Sequence, residues 1–351
     1  AGYEVILVSA INGDYDMEFV ISSSKPIVVI PIVPSQDELI RQEQRRTGYY
    51  VERFGVLEKY NADNGDCVIV LDIWNEYFLR RLFEFGKKAG FKTICGAFEL
   101  YGAEDYETKE EYENFRHVYE EIYLNADAIL SVSEYIDKFY IDKGMRVYRL
   151  PPLVACGKFE PVLRSMDKWR FIIPSQKDSL QSMLKAFAGL KNQELEKIEL
   201  HLCGCRKEKL YGLMEESEWE RVRPCTVVHD WLKYEELTVL CQQMHFLLIA
   251  RNVSRRTLAN FPSKVPECME LGVVPVVSDV GDYTKYYLKD GVDSIFIQGD
   301  TVEEITKSIR KAMSLSVKHF EEYSQNAMLC AKTKFDYHNW IDEIQEMVQG
   351  K

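Results

Sequence analysis

Short runs of β-branched residues alternate with longer amphipathic segments along almost the whole chain of 351 residues. In the first half, strands are predicted at residues 67–71, 92–95 and 128–131, and helices at residues 36–59 and 76–88. Strands that alternate with helices in this way form mostly parallel sheets with helices on both faces. The pattern therefore predicts an α/β fold made of doubly wound, Rossmann-like sheets.

The alternation is interrupted at Leu150-Pro151-Pro152-Leu153. Proline lacks the N–H group that a sheet ladder or a helix interior requires, so this motif predicts a connection between domains. A chain of this length is long enough for two hydrophobic cores. We expect a first domain at residues 1–150 and a second at residues 151–335, with the last helix, residues 336–351, returning to the first domain.

The overall charge and the apolar runs exclude several classes of protein. A net charge of −12 argues against a general nucleic-acid binder, because phosphate neutralisation requires a basic surface. No uninterrupted apolar run reaches the roughly 18–20 residues of a membrane span, and the start of the chain lacks the pattern of a secretion signal. We therefore predict a cytoplasmic protein without a membrane span, while peripheral contact with a membrane stays open.

Neither the cysteines nor the histidines show the spacing of a metal site. Cys203-Gly204-Cys205 lacks a second pair of ligands, so its two cysteines are expected to be buried thiols. The six histidines form no cluster along the sequence. Asp14-Tyr15-Asp16 has the spacing that metal-dependent transferases use, but it lies in a loop of the wrong architecture. No metal ion is therefore predicted.

The stretch between Arg251 and Val277 concentrates groups that can bind an anion. Pro262 suits the first position of a helix, which leaves the N–H groups of Ser263 and Lys264 without intrahelical partners. Such a helix end attracts negative charge, and Lys264 adds a cation. Arg251 follows an apolar strand at its carboxyl end, where open sheets bind ligands. The stretch therefore predicts an anion-binding site.

Glu267 lies one turn after Ser263 on the same face of the predicted helix. A carboxylate there would repel a diphosphate but accept hydrogen bonds from a ribose diol, so the two features together indicate a nucleotide-sugar site. The alternative is an exposed ion pair between Lys264 and Glu267 without a ligand, worth a few tenths of a kcal/mol. Glu270 is interpreted as solvated surface.

These residues resemble the donor-binding signature of family-4 retaining glycosyltransferases, in the variant that carries Phe-Pro-Ser/Thr-Lys. The matching motifs are Phe261-Pro262-Ser263-Lys264, Glu267 and Gly272-Val273-Val274-Pro275-Val276-Val277. Residues 126–133, the motif at residues 151–153 and the loop at residues 174–178 match in the same order, and the resemblance covers most of the chain from Lys92 onward. It implies the GT-B architecture, in which two Rossmann-like domains face each other across a cleft.

The resemblance also implies the reaction and the residues that carry it. A sugar would move from a nucleotide diphosphate sugar to a hydroxyl group of a saccharide or lipid-linked saccharide, with retained configuration and without a metal or other cofactor, as in surface polysaccharide assembly. The implied catalytic residues are Lys177, Arg251, Lys264 and Glu267. The implied donor-binding residues are Ser175, Phe261, Pro262, Ser263, Lys264 and Glu267. On the acceptor side, the resemblance indicates Glu99, Tyr101 and Glu104, whereas the aromatic residues within residues 106–123 are interpreted as core.

The chain departs from the family pattern in three places. Ala259 stands where the family has the first residue of an acidic pair, the arginine ahead of Lys177 is absent, and no counterpart of the first strand, glycine loop and first helix precedes Gly2. One βα unit is therefore expected to be lacking. Two alternatives stay open: a sugar-nucleotide epimerase with the same fold, and a non-catalytic nucleotide-sugar binding protein.

Overall fold

The computed structural model describes most of the chain: residues 5–10, 27–32, 38–59, 66–71, 73–159, 162–174, 179–205, 210 and 212–349, with the backbone alone for residues 5–10 and 27–32. The chain forms two compact units. The first unit comprises Ala1–Ser131, Tyr135–Arg149 and Trp340–Lys351, and the second comprises Val132–Glu134 and Leu150–Asn339.

The first unit is built on parallel strands. Strands β1 (Val5–Ala10) and β2 (Ile27–Ile32) pair with each other. A four-stranded parallel sheet has the order β3 (Cys67–Val70), β4 (Lys92–Ala97), β5 (Ala128–Ser131) and β6 (Val147–Arg149). The helices that begin before residue 150 are α1 (Glu38–Arg46), α2 (Tyr50–Lys59), α3 (Glu76–Ala89), α4 (Lys109–His117) and α5 (Glu134–Ile141).

The single helix predicted at residues 36–59 is wrong, because the chain turns between α1 and α2. Gly48 and Tyr49 have left-handed backbone angles, with φ of 62° and 53°. The Asn75 side chain closes this turn: its amide donates to the carbonyls of Arg45 and Arg46 at 3.3 and 3.1 Å. Its oxygen accepts the N–H of Phe78 at 2.9 Å and caps α3. One side chain therefore ends α1 and begins α3.

Aromatic residues form part of the core of the first unit. Phe115, Tyr119 and Tyr123 are buried, and their rings form a continuous row, with centroids 4.5 Å apart from Phe115 to Tyr119 and 4.7 Å from Tyr119 to Tyr123. Helix α3 adds an apolar face with Leu79 and Leu82 fully buried. The interpretation of the aromatic residues within 106–123 as core is confirmed for these three.

The second unit contains one six-stranded sheet in which every neighbouring pair is parallel. Its strands are β7 (Trp169–Pro174), β8 (Ile198–Cys203), β9 (Thr226–His229), β10 (Phe246–Ile249), β11 (Val274–Ser278) and β12 (Ile295–Ile297). The spatial order is β9-β8-β7-β10-β11-β12, which is the doubly wound order of dinucleotide-binding sheets. The order reverses between β7 and β10, so this pair is the topological switch point.

Helices cover the sheet of the second unit and are buried along one face. They are α6 (Leu180–Ala188), α7 (Asn192–Leu195), α8 (Glu216–Val222), α9 (Tyr234–Gln242), α10 (Arg255–Ala259), α11 (Lys264–Glu270), α12 (Val302–Met313) and α13 (Val317–Cys330). Met183 and Phe187 of α6 pack with Phe171 and Phe246 of the central strands in one apolar core. Two α/β units with parallel sheets confirm the predicted fold class.

The last helix, α14 (Ile341–Gln349), belongs to the first unit. The Lys92 ammonium at the start of β4 donates to the Met347 carbonyl at 2.5 Å, and Arg146 lies 3.7 Å from Glu346. Within the described part of the chain, no helix combines the length and the apolar character that crossing a bilayer would require.

Candidate functional site

The switch point of the second unit places the ends of β7 and β10 side by side. Open parallel sheets bind ligands in the crevice beyond the carboxyl ends of such strands. Arg251 lies two residues beyond the end of β10. Its N–H donates to the Ser278 hydroxyl at 2.8 Å, and its guanidinium donates to the Asn260 side chain at 2.8 Å. The end of β11 and the residue that follows α10 therefore hold Arg251 at this edge of the sheet.

Two predicted donor ligands follow β7, which ends at Pro174. Ser175 and Lys177 lie outside the described residues, as do Asp14 and Asp16. Their roles stay predictions from the sequence.

Helix α11 begins at Lys264 rather than at Pro262. Pro266 has no N–H to donate to the Pro262 carbonyl, and that carbonyl instead accepts the Val265 N–H at 3.0 Å. The tighter bond shifts the start of the regular helix by two residues. No partner for the N–H groups of Ser263 and Lys264 is found among the described residues. The helix has only seven residues, so Lys264 itself supplies most of the positive charge here.

Lys264 and Glu267 form an ion pair, with 2.5 Å between the ammonium and the carboxylate oxygen. The ion pair that their spacing suggests is therefore present in the structure. Both side chains are about one-third exposed, at 33% and 30%. Burial lowers the pKa of Lys264, but the charge and hydrogen bond of Glu267 outweigh it and raise the pKa above its usual value. The ammonium consequently stays charged, and both groups remain within reach of a ligand.

A shallow groove runs between α9 and α11. Tyr234 and Cys241 line it from α9, and Lys264, Glu267 and Glu270 line it from α11. Its enclosed part has room for about one water molecule. A ligand of nucleotide size would therefore lie across the opening and contact the groove with only part of its surface.

Glu270 was interpreted from the sequence as solvated surface, and that interpretation is wrong. Its side chain is half-buried, and its Oε1 atom is sealed from solvent without a hydrogen-bond partner among the described residues. Burial, followed by the charge of Asp336, raises the pKa of Glu270 to about 7. The three-residue spacing from Glu267 already placed both carboxyl groups on one helix face, but the burial depends on residues distant in sequence.

The aromatic member of the motif has a packing role. Phe261 is 5% exposed, and its ring contacts Tyr283, Tyr287 and Phe335 at centroid distances of 5.8, 5.5 and 5.8 Å. This packing fixes the loop that leads into α11. Phe261 therefore positions Ser263 and Lys264, whose backbone follows it by two and three residues.

Two histidines that are separated in sequence meet in the second unit. The rings of His201 on β8 and His229 on β9 are stacked, with 2.9 Å between Nδ1 of His201 and Nε2 of His229. The other nitrogen of His201 lies 2.8 Å from the Glu199 carboxylate. Within the described ranges, no group of three or more such side chains has the arrangement of a metal site. Cys203 and Cys205 are buried thiols, as predicted.

The predicted acceptor-side residues follow β4 in the first unit. The Tyr101 hydroxyl donates to the Glu99 carboxylate, and the Tyr101 ring packs 5.2 Å from Phe115. Glu104 lies in the 3₁₀ turn Ala103–Asp105 and is exposed. The structure thus brings Glu99 and Tyr101 together, while the Glu104 side chain is exposed to solvent.

Known proteins resemble the chain in sequence over part of its length and in fold over most of it. Residues 175–329 match the family model described as Glycosyl transferases group 1. This match includes the positions of Lys177, Arg251, Lys264 and Glu267. No protein of curated function shows significant sequence similarity to the chain.

Three solved structures illustrate the likeness in fold. Anabaena HepE, in complex with UDP and glucose, has a TM-score of 0.67 and 11% identity, covering 92% of this chain and 86% of HepE. Sucrose-phosphate synthase from Thermosynechococcus elongatus has a TM-score of 0.65 and 13% identity, covering 92% of this chain and 79% of the synthase. The lipopolysaccharide outer core galactosyltransferase WaaB has a TM-score of 0.60 and 15% identity, covering 92% of this chain and 85% of WaaB.

Together these findings establish the fold and the broad class. The structural neighbours have the GT-B glycosyltransferase fold, and their low identities carry no more than the fold. The group 1 match adds the activity class for the second unit. The prediction that the chain is a glycosyltransferase is confirmed at this level of detail.

Proposed function

We propose that the chain is a retaining, metal-independent glycosyltransferase of the family-4 type, which moves a sugar from a nucleotide diphosphate sugar to a hydroxyl group. The observation that carries the proposal is the Lys264–Glu267 pair beside the N–H groups of Ser263 and Lys264, which have no partner in the described ranges of the chain. Cation, amide donors and carboxylate lie within one turn of α11, which is the combination that a diphosphate and a ribose diol require.

The cationic groups would act on the leaving diphosphate. Negative charge develops on this group as the bond to the sugar breaks, and cations that are already in position stabilise it without reorganisation. Arg251, held at the carboxyl end of β10, and Lys264 would supply two such charges. By its resemblance to the loop lysine of the family, Lys177 would supply a third.

Glu267 would exchange its partner when the donor binds. In the structure its carboxylate accepts from Lys264, so binding would turn the ammonium toward phosphate and leave the carboxylate for the ribose hydroxyls. The pair costs little to open, because ion pairs that remain in contact with solvent contribute about 0–1 kcal/mol. An ion pair in the structure and a ligand site are therefore compatible.

Two of the structural neighbours indicate which donor and acceptor classes to propose. HepE was solved with UDP and glucose, which makes a UDP-sugar the first donor to test here. WaaB acts on the lipopolysaccharide outer core, and we extend this to a saccharide or lipid-linked saccharide acceptor in surface polysaccharide assembly. Glu99, Tyr101 and Glu104 of the first unit would contact that acceptor. No cofactor beyond the donor substrate is proposed, and the enzyme would work in the cytoplasm.

The test is binding and turnover with UDP-, GDP- and ADP-glucose. A charge-assisted hydrogen bond is worth about 1.5–3 kcal/mol, so Lys264→Ala should weaken binding of the active donor by about 10- to 100-fold, and Glu267→Ala by somewhat less. Lys307→Ala is the matched control, because Lys307 forms an exposed i,i+3 pair with Glu304 on α12.

Each outcome has a definite meaning. The proposed site is wrong if no donor binds, or if the Lys264 and Glu267 variants bind as well as the control. Binding without transfer or donor hydrolysis would instead identify a non-catalytic nucleotide-sugar binding protein, in keeping with Ala259 at the position of the family's first acidic residue.

A further inference from the structure

Three side chains of the second unit form a hydrogen-bonded chain across two strands. His201 Nε2 lies 2.8 Å from Glu199 Oε1 on β8, and His201 Nδ1 lies 2.9 Å from His229 Nε2 on β9. The register pairs His201 with Val227, so His229 is two residues further on the same face of the sheet. We call Glu199, His201 and His229 the relay.

The relay fixes which nitrogen of each ring carries a proton. Burial opposes ionisation of Glu199, but its contacts with His201 and Arg170 outweigh this and lower its pKa. An ionised carboxylate can only accept, so His201 Nε2 must donate to it. In a neutral His201 the other nitrogen then accepts, and His229 Nε2 must be its donor. The Nδ1 atom of a neutral His229 consequently carries a lone pair.

His229 lies at the carboxyl edge of the same sheet that carries the candidate donor site. His229 is the last residue of β9 and pairs with Cys203, the last residue of β8. Burial raises the pKa of the Cys203 thiol to about 12. The charge of Lys264 acts in the opposite direction, so its ammonium lies close enough to influence the thiol. The His229 side chain is only partly buried, and its Nδ1 has no hydrogen-bond partner within the described residues.

We propose that Glu199 and His201 are positioning residues that hold His229 with an unprotonated Nδ1, and that this nitrogen accepts a hydrogen bond from an N–H or O–H group of the donor nucleotide. The inference rests on the proposed function, because it deepens the description of the same donor site. Neither the sequence motifs nor the similarity to known proteins assigns a role to these three residues.

A single proton reverses the character of this nitrogen. If the proton adds to His229, Nδ1 becomes an N–H group directly. If it adds to His201, that ring donates to His229 Nε2, and the proton of His229 moves to Nδ1. In both cases an acceptor becomes a donor, and the hydrogen bond to the nucleotide is lost.

The charged groups around the relay set the pH at which this happens. Burial lowers the pKa of both histidines, and for His201 the charges of His229 and Arg170 act in the same direction against the opposing effect of Glu199. Arg170 is itself held by Asp167 at 2.9 Å, and Asp230 follows His229 in the chain. The nucleotide affinity should therefore fall as the pH decreases below about 6.5.

The experiment measures the Kd of UDP-glucose, or of whichever of UDP-, GDP- and ADP-glucose binds, between pH 8 and pH 5. Such donors have no phosphate monoester that titrates near pH 6. Wild type should bind about 2- to 10-fold more tightly at pH 8 than His229→Ala, as expected for one neutral hydrogen bond, and this advantage should decrease as the pH falls towards 5. Glu270 titrates near pH 7, but both proteins share it, so their difference reports on His229.

Two variants of His201 separate positioning from mere packing. His201→Asn keeps an acceptor for His229 Nε2 and should retain most of the affinity at pH 8. His201→Leu leaves the tautomer of His229 unconstrained and should lower the affinity about 2- to 5-fold. Imidazole ¹⁵N NMR should find His229 Nδ1 unprotonated at pH 8 in wild type and in the Asn variant.

The outcomes distinguish this inference from the proposed function. If none of the three donors binds, the proposed function fails and takes the inference with it. If a donor binds with equal affinity to wild type and His229→Ala at pH 8, or if NMR finds a proton on His229 Nδ1, the donor site stands and the role of the relay is refuted. His319→Leu, at an exposed histidine on α13, should match wild type throughout.

Discussion

A buried histidine in the centre of the second unit makes its stability depend on pH. His245 is completely buried at the start of β10, and its Nδ1 accepts the backbone N–H of Arg170 at 3.0 Å. Trp169 and Phe320 pack edge-on against the ring at centroid distances of 5.2 and 5.0 Å. A proton on Nδ1 would face the Arg170 N–H group, so the folded protein requires the neutral ring.

The magnitude of this pH dependence follows from the shift in the pKa of His245. Burial, followed by the charges of Arg164 and Arg170, lowers the pKa of His245 from 6.5 to about 3. At about 1.4 kcal/mol per pKa unit this difference corresponds to about 5 kcal/mol. Because the folded value is the lower one, the stability is complete above pH 6.5 and decreases as the pH falls towards 3. About 2 kcal/mol should be lost at pH 5.

The perturbation that tests this is His245→Asn. The asparagine oxygen can accept the Arg170 N–H, but it does not titrate. Urea unfolding at pH 7.5 and pH 5.0, followed by hydrogen exchange of peptides from β7 and β10, reports on the second unit. Wild type should lose about 2 kcal/mol more between the two pH values than the variant does.

A second variant controls for the loss of the acceptor. His245→Leu leaves the Arg170 N–H unsatisfied and should be less stable by about 1–3 kcal/mol at both pH values. If wild type and the Asn variant lose the same free energy on acidification, the carboxylates of the protein account for the effect, and the reasoning about His245 is refuted.

Two further predictions concern Glu270 and Gly48. The pKa of Glu270 is raised from 4.5 to about 7 in the folded protein. Its contribution to the free energy of unfolding is therefore fully present below pH 4.5 and is lost as the pH rises through 7. Glu270→Gln should therefore melt at a higher temperature than wild type at pH 8 and at the same temperature at pH 4.5; an equal difference at both pH values would contradict this. Gly48→Ala should lower stability by about 1–3 kcal/mol, since φ is 62° and an added Cβ would lie 2.7 Å from the Asn75 side chain. Gly55→Ala in α2, where nothing lies within 4 Å, should instead stabilise by about 0.5–1 kcal/mol, and thermal unfolding that gave both variants the same sign would overturn the argument.

The fold could be predicted because its signal is local. Strands such as β11 (Val274–Ser278) are short β-branched runs buried on both faces, and such runs read as parallel strands wherever they alternate with amphipathic helices. The break between α1 and α2 was missed because neither Gly48 nor Tyr49 disrupts the amphipathic pattern. It depends on Asn75, which binds the end of α1 from about thirty residues away in sequence.

The candidate site was predictable in its motif and not in its surroundings. The segment from Phe261 to Glu267 carries its own chemistry, and the ion pair between Lys264 and Glu267 follows from their spacing. The relay depends instead on the register of β8 against β9, which brings His201 and His229 together across 28 positions. The burial of Glu270 likewise arises from tertiary packing, to which a single sequence gives no direct access.

The membership of α14 in the first unit has a consequence for biosynthesis. Most of that unit lies before residue 150, yet the carbonyl of Met347 accepts from Lys92 at the foot of its sheet. While the chain is still being synthesised, the first unit therefore exposes the surface that α14 covers in the folded protein, because α14 has not yet been translated. The main segment of the second unit, Leu150–Asn339, is continuous and leaves the ribosome before α14 does. The first unit is therefore the last to be completed, and chaperones should contact nascent chains mainly through it.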